Sequence, residues 1–220
     1  MDYLELRKAI TPARLTAFDQ AALSRGQPQE KSIELYEWNA EVSSALLLPL
    51  HFFEVVLRNA VHDAISLAYQ EQWPWDGSFV SSVRSQVGRY RPRHDLQKNA
   101  RSHSTTGKVI PEMKFAFWEQ MFTSGYDQAI WKPHLTSVFP NLPITTDEPS
   151  AARSVRLDVE KVRKIRNRVA HHEPIFSQDV PAVIDAIHRV TAYRSPDVGV
   201  WVATKHRVTT VLAQRPTWYV

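Results

Sequence analysis

The 220-residue chain contains no cysteine. A disulfide scaffold, a thiolate metal site and a cysteine nucleophile are therefore excluded. Glycine is scarce, with only six residues, which argues against a sandwich or barrel built from many tight turns. Long apolar runs are missing too. The longest, Ala45 to Leu57, is interrupted by His51 and Glu54 and falls short of the roughly 20 residues that span a bilayer. The first residues, Met1 to Lys8, are charged and polar, so no signal peptide is expected. A cytoplasmic protein without a membrane partner is the expectation.

What is present looks globular: 43% hydrophobic and 23% charged residues leave no compositional case for disorder. We expect a single α-helical domain over 1–220, with N-terminal helices over 1–76, a basic middle segment over 77–145, and a motif helix with further C-terminal helices over 146–220. The net charge is +4, and its distribution says more than its sum. Eight acidic residues lie between Gln27 and Asp76 against Lys31 and Arg58 alone. Seven basic residues lie from Arg84 to Lys108 against Asp95, and seven more from Ala151 to His172 against Asp158 and Glu160. Such blocks attract polyanions, of which nucleic acid is the commonest. They serve equally as a solvated surface, or as a face that meets the chain's own acidic segment.

Thr11-Pro12 predicts a helix start, cap residue then proline, running to about Leu23 before Gly26 and Pro28 break the chain. From Lys31 to Tyr69 only Pro49 interrupts a helical pattern. Its first half is amphipathic, with Ile33, Tyr36 and Ala40 at helical spacing, and its second half is apolar nearly all round, which predicts a central buried helix. Pro49 should kink or break it. Further on, short helices are expected over 78–89 and from Arg93 to about Arg101, a flexible loop over 102–107, and a helix over 111–122. Trp131 to Pro143 is proline-rich and expected to be irregular. Asp147-Glu148-Pro149 should open a helix through Val155, Val159, Val162, Ile165 and Val169 to about His172. Asp179-Val180-Pro181 should open another. The stretch 198–211 fits a strand or a helix.

The stretch that carries chemistry is Arg163-Lys164-Ile165-Arg166-Asn167-Arg168-Val169-Ala170-His171-His172. At 100° per residue, Arg163, Arg166, Asn167 and His171 fall within an arc of roughly 140°. Asn167 and His171, one turn apart, are placed to touch. One helix end thus presents cations, an amide and imidazoles. Cleavage of RNA by its own 2′-hydroxyl needs a base, an acid and positive charge at the phosphate. Histidine serves for either proton transfer and arginine for the charge, so no metal or other cofactor is needed. A basic helix end with histidines in its last turn also suits the helix dipole without any catalysis.

Arg166-Asn167-x3-His171 resembles the Arg-x4-His signature of the HEPN ribonuclease superfamily. More narrowly, the run from Arg166 to Phe176 is similar to the C-terminal motif of Abi-like (abortive infection) proteins. Tyr36-Glu37-Trp38-Asn39 with Leu50 to Ala60 resembles that family's N-terminal helix, and Phe115 to Trp118 with Trp131 to Leu135 and Phe139-Pro140 fits its middle. The likeness covers about residues 30–176. It implies an all-α, HEPN-like helical bundle that dimerises so that two motifs form one composite site, and metal-independent RNA cleavage leaving a 2′,3′-cyclic phosphate. It implies a toxin–antitoxin or phage-defence setting, with an antitoxin or other defence protein as a further partner. The residues carried over are Arg166 and His171, with Asn167 in the polar position after the arginine and His172 as a neighbouring helper. Some superfamily members only bind nucleotides or proteins, so a non-catalytic RNA-binding or interaction role is the alternative.

A second stripe adds to this. His51, Glu54, Arg58 and His62 fall within about 80° of one helix face. Buried charge needs a partner. Either Glu54 pairs with Arg58, or it reaches across to orient Arg166 or His171. The aromatics Trp73, Trp75, Phe115, Phe117 and Trp118 suit core packing better than base stacking. No histidine pair has a metal-ligand spacing.

Overall fold

The punctuation residues set most helix boundaries, and tertiary contacts reset the rest. The computed structural model describes residues 3–143 and 148–219. Every regular element among them is helical, and the only β pairing is an isolated bridge between Val87 and Tyr90. The protein is all-α.

Helix α1 (Tyr3–Ile10) precedes α2 (Pro12–Leu23). Thr11 between them does not cap α2 through its side chain; it turns the corner at φ 76°, a strained value for a β-branched residue. Asp19, 4% exposed, joins three helices. It accepts from Tyr3 at 3.0 Å, Arg7 at 2.5 Å and Ser32 at 2.8 Å. Burial opposes its ionisation, but these hydrogen bonds and one from Gln29 hold its carboxyl below the ordinary value.

Helix α3 (Ser32–Tyr69) runs 38 residues, about 57 Å at the usual rise. It continues through Pro49, which is buried and causes no break. Packing along the rest of the helix outweighs the one backbone donor that proline removes. Its buried face is Leu35, Trp38, Val42, Leu46, Leu50, Phe53 and Leu57. The expected apolar face lies to one side of this: Ile33 and Tyr36 are half-buried and Ala40 is exposed. The C-terminal part of the chain decides the difference, because the Trp38 indole N–H donates to Val211 O at 2.8 Å. Nor is the second half buried all round, since Leu47 and Leu48 are 58% and 42% exposed. A window of this helix reaches a mean hydropathy of 1.5, enough by length and composition to cross a membrane, with 39% of it buried in the fold.

The middle segment is more regular than its prolines suggest. Helix α4 (Gly77–Ser82) is shorter than expected, and the rest of that stretch is non-helical, with a turn at Gly88 (φ 58°). Helix α5 (Pro92–Ser102) starts at a proline. The expected loop shrinks to residues 103–105, because α6 (Thr106–Val109) takes up its end, anchored by Thr106 Oγ1 donating to Glu71 O at 2.6 Å. Helix α7 (Phe115–Gln120) is the helical core of 111–122, and a π-helical turn covers Asp127–Trp131. The proline-rich stretch is irregular only from Phe139 on: Pro133 sits in the first turn of α8 (Lys132–Val138), where its missing N–H costs nothing.

Helix α9 (Glu148–Ala170) carries the motif; the Asp147 expected at its start lies outside the described residues. Asp179 caps α10 (Val180–Arg194) by accepting from Ala182 N at 3.0 Å. The ambiguous tail is helical, as α11 (Pro196–Lys205) and α12 (Val208–Leu212). Arg189 grips the buried Asp158 carboxylate at 2.7 and 3.0 Å and pins α10 to α9. Arg194 pairs with Asp63 and donates to Val138 O at 2.8 Å, tying α10 to α3 and α8. The hydrophobic core is continuous from Phe18 to Tyr219.

Candidate functional site

The last two turns of α9 emerge where that helix stops packing. Val155, Val159, Val162, Ile165 and Val169 are buried, while Arg166 and Asn167 are half-buried and His171 and His172 exposed. The helix ends in a Schellman turn. His172 N–H donates to Val169 O at 3.1 Å and Glu173 N–H to Arg168 O at 2.8 Å. His172 occupies the left-handed position at φ 53°, where glycine is the usual residue. Two contacts hold this turn from outside. Arg14 of α2 donates to His172 O at 2.7 Å, and the buried Asn39 accepts from Ile175 N at 2.7 Å. The Arg168 guanidinium closes over the same turn, donating to Pro174 O at 3.1 Å and lying 3.5 Å from Glu173.

Glu54 of α3 lies 3.5 Å from Arg166 Nε, with the two side chains 27% and 38% exposed. The contact has no hydrogen-bond geometry, and the terminal nitrogens of Arg166 make no hydrogen bond among the described residues. They are free to meet an anion. Glu54 therefore turns to α9 and not to Arg58, which forms no ion pair among the described residues. The rest of the stripe divides. His51 is exposed with its ring 5.8 Å from Phe52. His62 is taken up by the core, where its Nδ1 accepts from the Trp73 indole at 3.0 Å and faces Ser66 Oγ at 3.2 Å.

Arg163 is drawn away from the helix end. Its Nε lies 2.6 Å from Glu119, which is 7% exposed, without the alignment of a hydrogen bond. Its charge is largely answered by that carboxylate. Asn167 and His171 are joined through the backbone, His171 N–H to Asn167 O at 3.0 Å, and not through their side chains. The structure thus sets Arg166 and Asn167 in the last turns of α9 with Glu54 beside Arg166, His171 and His172 just past the helix end, and Arg163 against Glu119, while Arg58 makes no ion pair among the described residues. Of the aromatics, Trp73, Phe115, Phe117 and Trp118 are core residues, and Trp75 is 40% exposed.

Arg14 and Asn39 carry no chemical signature and were not legible as site residues. One further cluster also escaped the sequence. His188 and His206 stack at 21° with their Nε2 atoms 3.0 Å apart. His206 Nδ1 faces Val208 N–H at 3.3 Å, so His206 Nε2 is the protonated nitrogen and His188 Nε2 the acceptor. Burial lowers both pKa values, against the pull of Asp185 on His188 and aided by His188 on His206. Among the described residues no three His, Asp or Glu side chains gather as metal ligands.

Compared with family models, with curated proteins and with solved structures, the chain finds no match in any of the three.

Proposed function

We propose that the chain is a metal-independent endoribonuclease with a HEPN-like bundle, acting as an Abi-like effector in a toxin–antitoxin or phage-defence setting. One observation carries the reading: Arg166, Asn167, His171 and His172 stand together on the accessible end of α9, with Glu54 beside Arg166. These are the groups that RNA self-cleavage requires, on a surface a chain of RNA can reach.

In this reading His171 takes the proton of a 2′-hydroxyl, whose oxygen attacks the adjacent phosphorus. The bond to the 5′-oxygen breaks, and that oxygen leaves with a proton from a second imidazole. The products are a 2′,3′-cyclic phosphate and a 5′-hydroxyl. Arg166 meets the charge on the crowded phosphate with its terminal N–H groups, while Glu54 fixes the direction of the guanidinium. Asn167 orients the substrate or the imidazole. The second imidazole is His172 of the same chain or, in a homodimer with a composite site, His171 of the partner subunit.

The test is incubation of the protein with mixed RNA in excess EDTA, beside His171→Ala and Arg166→Ala, with the product ends analysed. Cleavage by the wild type with cyclic phosphate ends, reduced at least 100-fold in either variant, is the expected result. RNA binding without cleavage in all three points instead to the non-catalytic binding role.

A further inference from the structure

A cleft of about 470 Å³ opens between the end of α2, the 176–179 segment and the C-terminal turn. Two arginines line it. The Arg25 guanidinium carbon lies 4.0 Å from the centre of the Tyr219 ring, and that of Arg215 lies 5.5 Å from the same ring and 4.8 Å from Trp38. The two cations are therefore no farther apart than the sum of their distances to that ring. The platform beneath them is rigid. Tyr219 meets Phe176 edge-on at 5.4 Å and Trp218 at 5.8 Å, and Trp38 is tied through its indole to Val211.

Two like charges held on one aromatic surface repel each other unless an anion lies between them. Among the described residues neither arginine forms an ion pair with a carboxylate. The cleft's one acidic residue, Asp179, already accepts from Ala182 N–H as the cap of α10. Neither arginine has spent its donors. Arg25 makes only long contacts, 3.4 Å to Ala21 O and 3.5 Å to Ser24 Oγ, and Arg215 makes no side-chain hydrogen bond among the described residues. Cation–π attraction to a ring uses none of a guanidinium's N–H donors, which stay available in the fork that matches a phosphate. Ser177 and Gln178 add a hydroxyl and an amide to the wall.

We propose that this cleft binds a phosphate group, carried by RNA or by a mononucleotide, with Arg25 and Arg215 as its paired ligands. The site is separate from the Arg166–His171 cluster, though the run from His171 to Phe176 connects the two. It makes no demand on catalysis.

The test uses the full chain carrying His171→Ala, so that no cleavage intervenes. Two probes are titrated: a fluorescent single-stranded RNA and adenosine 5′-monophosphate. Arg25→Gln and Arg215→Gln should each weaken the bound probe roughly tenfold, about one charge-assisted pair. Lys8→Gln, a change at an exposed lysine of α1 outside both basic blocks, should weaken it less than twofold. Arg215→Lys keeps the charge without the planar fork and should fall between, which guards against a Gln variant that fails to fold. Loss confined to RNA assigns the phosphate to the backbone; loss for both probes assigns a mononucleotide pocket. Unchanged affinity for both probes in the arginine variants, or an equal loss in Lys8→Gln, overturns the proposal. Because binding is read without turnover, a chain that never cleaves RNA leaves this test intact.

Discussion

His172 is the residue at which fold and function pull apart. Its φ of 53° is the value a Schellman turn demands, and a side chain there costs stability that glycine does not. Its own imidazole is exposed and makes no hydrogen bond among the described residues. Yet its carbonyl is held by Arg14, and the chain just beyond by Asn39. The backbone is thus fixed and the side chain left free, as a group awaiting substrate would be. His172→Gly should raise unfolding stability by about 0.5–1 kcal/mol, measured in urea. If His172 supplies the second proton, the same variant loses RNA cleavage while gaining stability. A variant that is less stable than the wild type would mean that the imidazole contributes a packing contact of its own.

At the scale of elements, the sequence was readable where its signal is local. Thr11-Pro12, Gly26 and Asp179 mark real boundaries, and Arg166 and Asn167 lie in the last turns of one helix with His171 just past its end. Contacts between distant segments were not readable. The polar stripe on α3 announced that Glu54 needs a partner, but pairing with Arg58 and pairing with Arg166 fitted equally well. Only the packing of α9 beside α3 separates them. The buried face of α3 was misread for the same reason: α12, far along the chain, claims Trp38. The tail was ambiguous because Val198 to Val211 is β-branched and also helically spaced. Gly199 shows what resolves it. A Cβ there would sit 2.7 Å from Ala192 Cβ and 2.9 Å from Ala192 Cα, so the glycine lets α11 lie directly on α10. Since backbone must move to admit even a methyl group, Gly199→Ala should destabilise the protein by roughly 1–3 kcal/mol, despite alanine's higher helix propensity. Thermal unfolding checks the sign, and a stabilised variant would show that the two helices are free to separate.

For the whole molecule, the exposed side of α3 is the unbalanced surface. Leu47, His51, Glu54 and Arg58 fall within about 60° of that helix, so an apolar residue and the charge beside Arg166 share one face. Leu48 and Phe52 flank them, with Trp201 of α11 lying 4.2 Å from the Phe52 ring and itself 44% exposed. Val200 beside it is 65% exposed. Large exposed apolar patches are where contact surfaces are commonly found, and this is the face that the proposed homodimer would use. A two-fold contact through it would set two copies of the Arg166–Glu54 region near one another, as the proposed composite site requires. Leu47→Asp and Leu48→Asp should therefore convert a dimer into a folded monomer, read by sedimentation with the helical spectrum unchanged. RNA cleavage should fall at least tenfold in the same samples, since burying either carboxylate in an apolar contact is strongly unfavourable. A monomer that still cleaves at the wild-type rate would place both proton transfers within one chain and leave His172 as the second imidazole.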